Sequence, residues 1–367
     1  MILMNNFKSE PNALREAMFK AAKRVIDSGW YVLGNEVINF EKQWASLCGV
    51  NYAIGVGNGM DAIEIVLRSL DIGSGDEVIT TPMTAFATVL AILRAGASPV
   101  LADIEKNTAL LSRESVLRCI SPKTKAIVLV HLYGQVRDMS AWQKLCVDNN
   151  IHLIEDCAQS HLATLCDKVA GSFGVAGAYS FYPTKNLGAI GDGGALVTNS
   201  SDLAEMSYEL RNYGQSVRYH HPELGMNSRL DEIQAAMLCE RMKWVKSFTE
   251  RRREIADQYH AGINNSNITL LVSPQERSAH VYHLFVIKTD KRDMLQKHLL
   301  DNNIQSLIHY PVPVHQQESC NGIKRDPKGL LVSEIFTSQC LSIPCHPQMT
   351  DSDVSQVIHA MNSFKTK

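Results

Sequence analysis

From about residue 53, short apolar runs alternate with stretches in which apolar side chains recur at helical spacing. The runs YAIGV (52–56), DEVIT (76–80), SPVLAD (98–103), KAIVLVH (125–131), IHLIED (151–156), GAYSF (177–181) and GALVTN (194–199) predict strands. Between them, Ile63, Val66, Leu67 and Leu70 predict a helix over Met60–Leu70, and Asp138–Asn150 reads as another that stops on Asn149 and Asn150. Strands alternating with covering helices imply an α/β fold with a mainly parallel sheet of about seven strands.

The pattern changes near Ser228. A long, charged, periodic segment runs to Asn264 and Asn265 and reads as a bridge between domains. Beyond it the sequence predicts a strand (Val281–Lys288), a helix (Lys291–Asn302), a Pro-rich loop around Tyr310, a strand near Cys340–Ile343 and a last helix from Asp351. The first 50 residues read as an arm with one helix, ending in the turn-rich SGWYVLGNEV. The expected organisation is thus an arm (1–50), a large domain (51–245) and a smaller α+β domain (246–367).

Composition narrows the function classes. The 367 residues carry 36 basic and 38 acidic side chains, with 45% hydrophobic and 20% charged, so nothing points to nucleic acid or an acidic lipid surface. Nine cysteines form an odd count with no CxxC pair. Neither a disulfide framework nor a usual zinc ribbon fits, and a reducing cytoplasm is the expected home. The start lacks a basic flank followed by an apolar stretch, and no run approaches the ~18 apolar residues that span a bilayer, so no membrane association is expected.

Three motifs fall at the ends of predicted strands. Gly55–Asp61 (GVGNGMD) lies between a strand and a helix, where glycines let backbone N–H groups approach an anion. It is neither a dinucleotide fingerprint nor a nucleoside triphosphate loop, and by itself it reads equally as a tight turn. Asp156, after IHLI, would emerge where open parallel sheets collect ligands, although Asp is also a good helix cap. Lys185 sits in SFYPTKNLG, with four glycines within the next nine residues, which suggests a loop moulded around something. An anion cradle, a carboxylate and a lysine together match the needs of pyridoxal phosphate: amides for the phosphate, an acid for the ring nitrogen, an amine for the aldehyde. At about 4 Å and an effective dielectric of ~20, the acid and a protonated ring would attract by about 4 kcal/mol before desolvation.

These residues carry a resemblance. GNGMDA, EDCAQSHLA, SFYPTKNLGAIGDGGA, LRNYG and GMNSRLDEIQAA resemble the sugar-nucleotide aminotransferases of the DegT/DnrJ/EryC1/StrS family, and the likeness spans nearly the whole chain. The resemblance implies the type I fold of pyridoxal-phosphate enzymes. It also implies that Lys185 joins the cofactor covalently and later shuttles a proton, Asp156 pairs with the ring nitrogen, and Gln159 sits near the ring hydroxyl. Ser180 and the backbone of Gly59 and Met60 would hold the phosphate, with Asn227 reaching the neighbouring subunit's phosphate across a homodimer interface. The retained lysine favours transamination, since relatives that dehydrate sugars carry histidine there. Where the family commonly places Thr followed by Tyr or Phe on the ring, this chain reads Thr84-Ala85-Phe86. Either Ala85 leaves the ring face open, or Phe86 takes over, or Phe86 is a core residue of its helix.

The resemblance further implies L-glutamate as donor and a keto sugar linked to a nucleoside diphosphate as acceptor. The GNGMDA and LIHYP (307–311) motifs look more like enzymes of dTDP-3-keto-6-deoxyhexoses than of 4-keto sugars. Trp30, Tyr31, Tyr182, Arg229, His309 and Tyr310 are candidate substrate contacts; Trp30 and Tyr31 read equally as anchors of the arm, Arg229 as a contact capping the long helix, and His309 as a structural or solvent-exposed group. The competing classes are a transfer to a 4-keto sugar, a dehydratase or epimerase, and a non-catalytic regulator that keeps the cofactor fold.

Overall fold

The computed structural model describes residues 1–365. Each of the seven predicted apolar runs forms a strand of one sheet. They are β1 (Tyr52–Val56), β2 (Glu77–Thr80), β3 (Ser98–Leu101), β4 (Thr124–Val130), β5 (His152–Asp156), β8 (Ala176–Ser180) and β9 (Gly194–Thr198). A hairpin of β6 (Thr164–Leu165) and β7 (Lys168–Val169) stands apart. The sheet order is β1-β9-β8-β5-β4-β2-β3-β12, the last being Lys324–Arg325. All pairings are parallel except those of β9, which runs against both neighbours.

These runs are nearly continuous in apolar residues because the sheet is buried on both faces. Along β4, Ala126 and Val128 enter one core cluster while Ile127 and Leu129 enter the other; along β5, Ile154 and Leu153 divide the same way. One face packs on α3 (Gly59–Ser69), α4 (Phe86–Arg94) and α7 (Ser201–Leu210), through Ile63, Val66, Leu67, Ile92 and Leu203. The other receives Phe40 and Trp44 of α2 (Asn35–Cys48) and Trp142 of α6 (Met139–Asn149). Phe40 and Trp44 each meet Phe181 edge to face, at 5.3 and 5.5 Å between centroids. Each such ring contributes roughly 1.5–3 kcal/mol by leaving water.

Two expectations change. The arm holds two helices, α1 (Asn12–Ser28) and α2, because Gly29 at φ 66° ends the first and the SGWYVLG turn resets the chain. The segment after Ser228 is also two helices, α8 (Glu232–Met242) and α9 (Val245–Gly262), interrupted at Lys243 and Trp244. Its first half is no exposed bridge, since Ala235, Ala236, Leu238 and Cys239 are buried. Ala21 and Val25 of α1 pack against Ala236 there.

The C-terminal part forms a three-stranded antiparallel sheet, β10 (Thr269–Leu270), β11 (Phe285–Lys288) and β13 (Cys340–Ile343). It packs with α10 (Arg292–Asp301) and α12 (Asp351–Ser363) around Ile287, Leu295, Leu299, Leu341 and Val357. Residues 281–284 are loop rather than strand. The expected division at residue 245 is crossed in both directions: Ile2 bridges to Ile304, and β12 extends the large sheet beside β3. Asp326, which follows β12, is buried and bonded to Arg118 Nε on α5 (Arg113–Cys119), at 2.9 Å. Asp103 accepts from the backbone N–H of Val332 and Ser333 at the start of α11 (Leu331–Gln339), 2.9 Å each. No helix among the described residues is long and apolar enough to cross a membrane.

Candidate active site

Strands β2, β4, β5, β8 and β1 end at one edge of the sheet, and the three sequence motifs leave from those ends. Asp156 is the last residue of β5 and is buried. Its Oδ2 accepts from Thr88 Oγ1 at 2.8 Å and its Oδ1 from the backbone N–H of Ala158 at 3.1 Å. Thr88 spends its hydrogen on the carboxylate, so Thr84, 2.8 Å away, is the donor in their contact.

Lys185 follows β8 in the loop that returns to β9. Its backbone N–H bonds to Tyr182 O at 2.8 Å, and its amine has no hydrogen-bond partner among the described residues. The side chain is half-buried. Desolvation by the surrounding protein lowers the amine's pKa to about 8, against a smaller opposing pull from Asp156.

The anion cradle is a close backbone approach. Asn58 caps α3, its Oδ1 accepting from Asp61 N at 2.9 Å. Gly59 backs on Ser180: a Cβ there would lie 2.8 Å from the Ser180 Cβ, so only glycine fits. Ser180 thus stands against the start of α3, where Gly59 and Met60 open the helix, and its Oγ accepts from Tyr182 N at 3.3 Å. Ser228 fastens this loop, accepting from Gly57 N at 3.0 Å and donating to Asp61 Oδ2 at 2.7 Å.

One buried imidazole ties two of the motifs together. His161, two residues after Gln159, donates from Nε2 to Ser180 O at 2.9 Å, and burial followed by the Lys185 charge pushes its pKa down to about 3. Gln159 Oε1 accepts from Tyr133 N at 2.6 Å, and its Nε2 donates to the Tyr310 hydroxyl at 3.2 Å. Tyr310 is pushed up to about 12, first by burial and then by Asp156, so it stays neutral. Beside it, His309 Nδ1 lies 2.8 Å from Ser342 Oγ, and burial and then Lys185 lower its pKa to about 4.

Lys185, Asp156, Gln159, Ser180, Gly59, Met60, His309 and Tyr310 therefore gather at one edge. Ala85 caps α4. Phe86 packs with Val89, Leu101, Val314 and Leu330, the environment of a core residue beginning its helix. Trp30, Tyr31, Tyr182 and Asn227 are exposed. The Trp30–Tyr31 turn is set by Glu232, whose carboxylate accepts the N–H groups of Gly34, Glu36 and Val37 at 2.8–2.9 Å. Arg229 donates to Asn212 Oδ1 at 3.1 Å and lies over the Tyr213 ring.

Sequence reasoning missed Thr88, Tyr133, Asn186 and His283. Thr88 carried a signal, its four-residue spacing from Thr84. Tyr133 had none, because its role depends on a positive φ of 62° that turns its N–H toward Gln159.

A pyridoxal phosphate group fits these residues: a glycine-backed helix start with a serine, a buried carboxylate held by two donors, and a half-buried lysine whose amine has no partner. The chain matches the DegT/DnrJ/EryC1/StrS aminotransferase family over residues 12–362. It is 44% identical over 345 residues to the dTDP-3-amino-3,6-dideoxy-alpha-D-galactopyranose transaminase of Aneurinibacillus thermoaerophilus, covering 94% of each chain. It is 40% identical over 361 residues to the dTDP-3-amino-3,4,6-trideoxy-alpha-D-glucose transaminase of Streptomyces venezuelae, covering 98% of this chain and 95% of that one. Among solved structures, S. venezuelae DesV in complex with a ketimine intermediate superposes with a TM-score of 0.94 at 40% identity, covering 99% and 97% of the two chains.

Proposed function

The chain belongs to the DegT/DnrJ/EryC1/StrS aminotransferase family and is a pyridoxal-phosphate-dependent aminotransferase of sugar nucleotides; from that premise we propose that it moves an amino group from L-glutamate to the C3 ketone of a dTDP-linked 6-deoxyhexose. The observation that carries the chemistry is the half-buried Lys185, its amine unpartnered at the same sheet edge as the buried Asp156 carboxylate.

When bound, pyridoxal phosphate supplies an aldehyde that amines condense with and a ring that accepts an electron pair. The protein supplies the rest. Ser180 and the amides of Gly59 and Met60 would hold the phosphate, and Asp156, held in place by Thr88 and Ala158, would hold the ring nitrogen's proton. The Lys185 amine, poised near neutrality, is suited to take a proton from the α-carbon of the donor and return one to the acceptor carbon at Nζ. Tyr310 and His309, both neutral, offer hydrogen bonds to an uncharged sugar.

The C3 position follows the two relatives, whose products carry a 3-amino group, together with the GNGMDA and LIHYP motifs. We read the site as shared between two copies. Asn227 is exposed, and its neighbour Ser228 is fastened to the phosphate loop, in keeping with an amide offered to a second chain.

The test is spectroscopic. The holoenzyme's visible band should fall with L-glutamate and return with dTDP-3-keto-6-deoxyhexose, giving the 3-amino sugar. Faster return with a 4-keto sugar nucleotide would overturn the C3 assignment, and an unchanged band with every amino donor would leave only a regulator.

A further inference from the structure

The loop Val281–His283 reaches the residue next to the catalytic lysine. Asn186 Nδ2 donates to Val281 O at 2.9 Å. A carbonyl only accepts, so the amide face toward Val281 is the NH2 group, and Oδ1 is the atom 3.2 Å from His283 Nδ1. An amide oxygen also only accepts, so Nδ1 must carry a hydrogen. The ring is buried, and burial, then the nearby charges of Lys185 and Arg252, hold its pKa well below the usual range. A neutral imidazole protonated on Nδ1 is bare at Nε2.

That bare nitrogen has no hydrogen-bond partner among the described residues. His283 lines a cavity with Thr184, His309, Leu307 and Asn5, next to Lys185 in the chain through Thr184. We propose that His283 is a substrate-binding residue whose Nε2 accepts a hydrogen bond from a hydroxyl of the sugar, in a tautomer fixed by Asn186. The proposal rests on the sugar-nucleotide reading above. A lone pair welcomes an O–H and opposes a carboxylate oxygen, so this contact serves the sugar half of the reaction and not the amino-acid half.

The substitution His283→Asn separates the two ring nitrogens. A carboxamide N–H can replace Nδ1–H toward Asn186, while nothing replaces Nε2. The pyridoxal-phosphate form of wild type and variant is mixed separately with L-glutamate and with dTDP-3-amino-3,6-dideoxygalactose, and loss of the visible band is timed. The variant is expected to react with glutamate within about twofold of wild type and with the amino sugar at least about tenfold more slowly. Equal rates with both, or an equal fall in both, would overturn the proposal. Wild-type enzyme that consumes glutamate but ignores the amino sugar would overturn the sugar reading itself, and needs no substitution to be seen. A crystal structure of wild-type holoenzyme with the same amino sugar gives a readout independent of the variant's folding. A sugar hydroxyl within hydrogen-bond distance of His283 Nε2 is expected; water or empty space at that atom would overturn it.

Discussion

Gln159 Nε2 donates to the Tyr310 hydroxyl across 3.2 Å, joining the loop after β5 to the Pro-rich loop of the C-terminal part. The direction is fixed, because Gln159 Oε1 is already taken by Tyr133 N–H. Tyr310 therefore keeps its own hydrogen free to donate into the site. Tyr310→Phe should lower kcat/KM for the sugar nucleotide about tenfold, the value of one lost hydrogen bond, and leave cofactor affinity nearly unchanged. Steady-state kinetics and a cofactor titration check the two halves of that expectation.

Thr88 lies behind Asp156 and touches it directly. Thr88→Val keeps the shape and removes a hydrogen bond to a charged acceptor, worth about 1.5–3 kcal/mol. Cofactor affinity should fall by roughly one to two orders of magnitude, measured by equilibrium titration of the cofactor-free protein with pyridoxal phosphate. Unchanged affinity would mean that Asp156 does not depend on Thr88.

The fold was legible because its core strands are buried on both faces and so read as unbroken apolar runs. The lysine, the acid and the glycine loop were legible because each follows such a run. Helix boundaries were less so: the break between Met242 and Val245 has no proline or glycine to mark it, and both residues sit in the core cluster that α2 enters. His283 and Asn186 were invisible for another reason. They lie 97 positions apart, and only folding brings them to 3.2 Å.

The desolvated amine sets a pH dependence. The Lys185 pKa falls from the ordinary 10.5 to about 8 in the cofactor-free fold, so the reactive neutral amine is half-populated near pH 8. The rate at which cofactor-free protein takes up pyridoxal phosphate should rise with pH and level off above about 8. Because the folded state binds this proton less tightly than the unfolded chain, the same group adds stability as pH climbs from about 8 through 10.5. An uptake rate still climbing steeply above pH 10 would contradict the shift.

Glu232 is buried on α8, yet its carboxylate accepts from three backbone N–H groups at the start of α2. Glu232→Ala strands those donors and should cost about 2–3 kcal/mol by denaturant unfolding. It should also loosen the Trp30–Tyr31 turn, raising its proteolytic sensitivity. Glu232→Gln keeps one accepting oxygen and should lose less.

The account depends above all on which side chain bonds the cofactor. Borohydride reduction of the holoenzyme, proteolysis and mass spectrometry answer this directly. The expected result is a single peptide carrying the reduced cofactor on Lys185, absent from Lys185→Arg. A cofactor fixed to a different lysine, or full labelling in the Lys185→Arg protein, would contradict it.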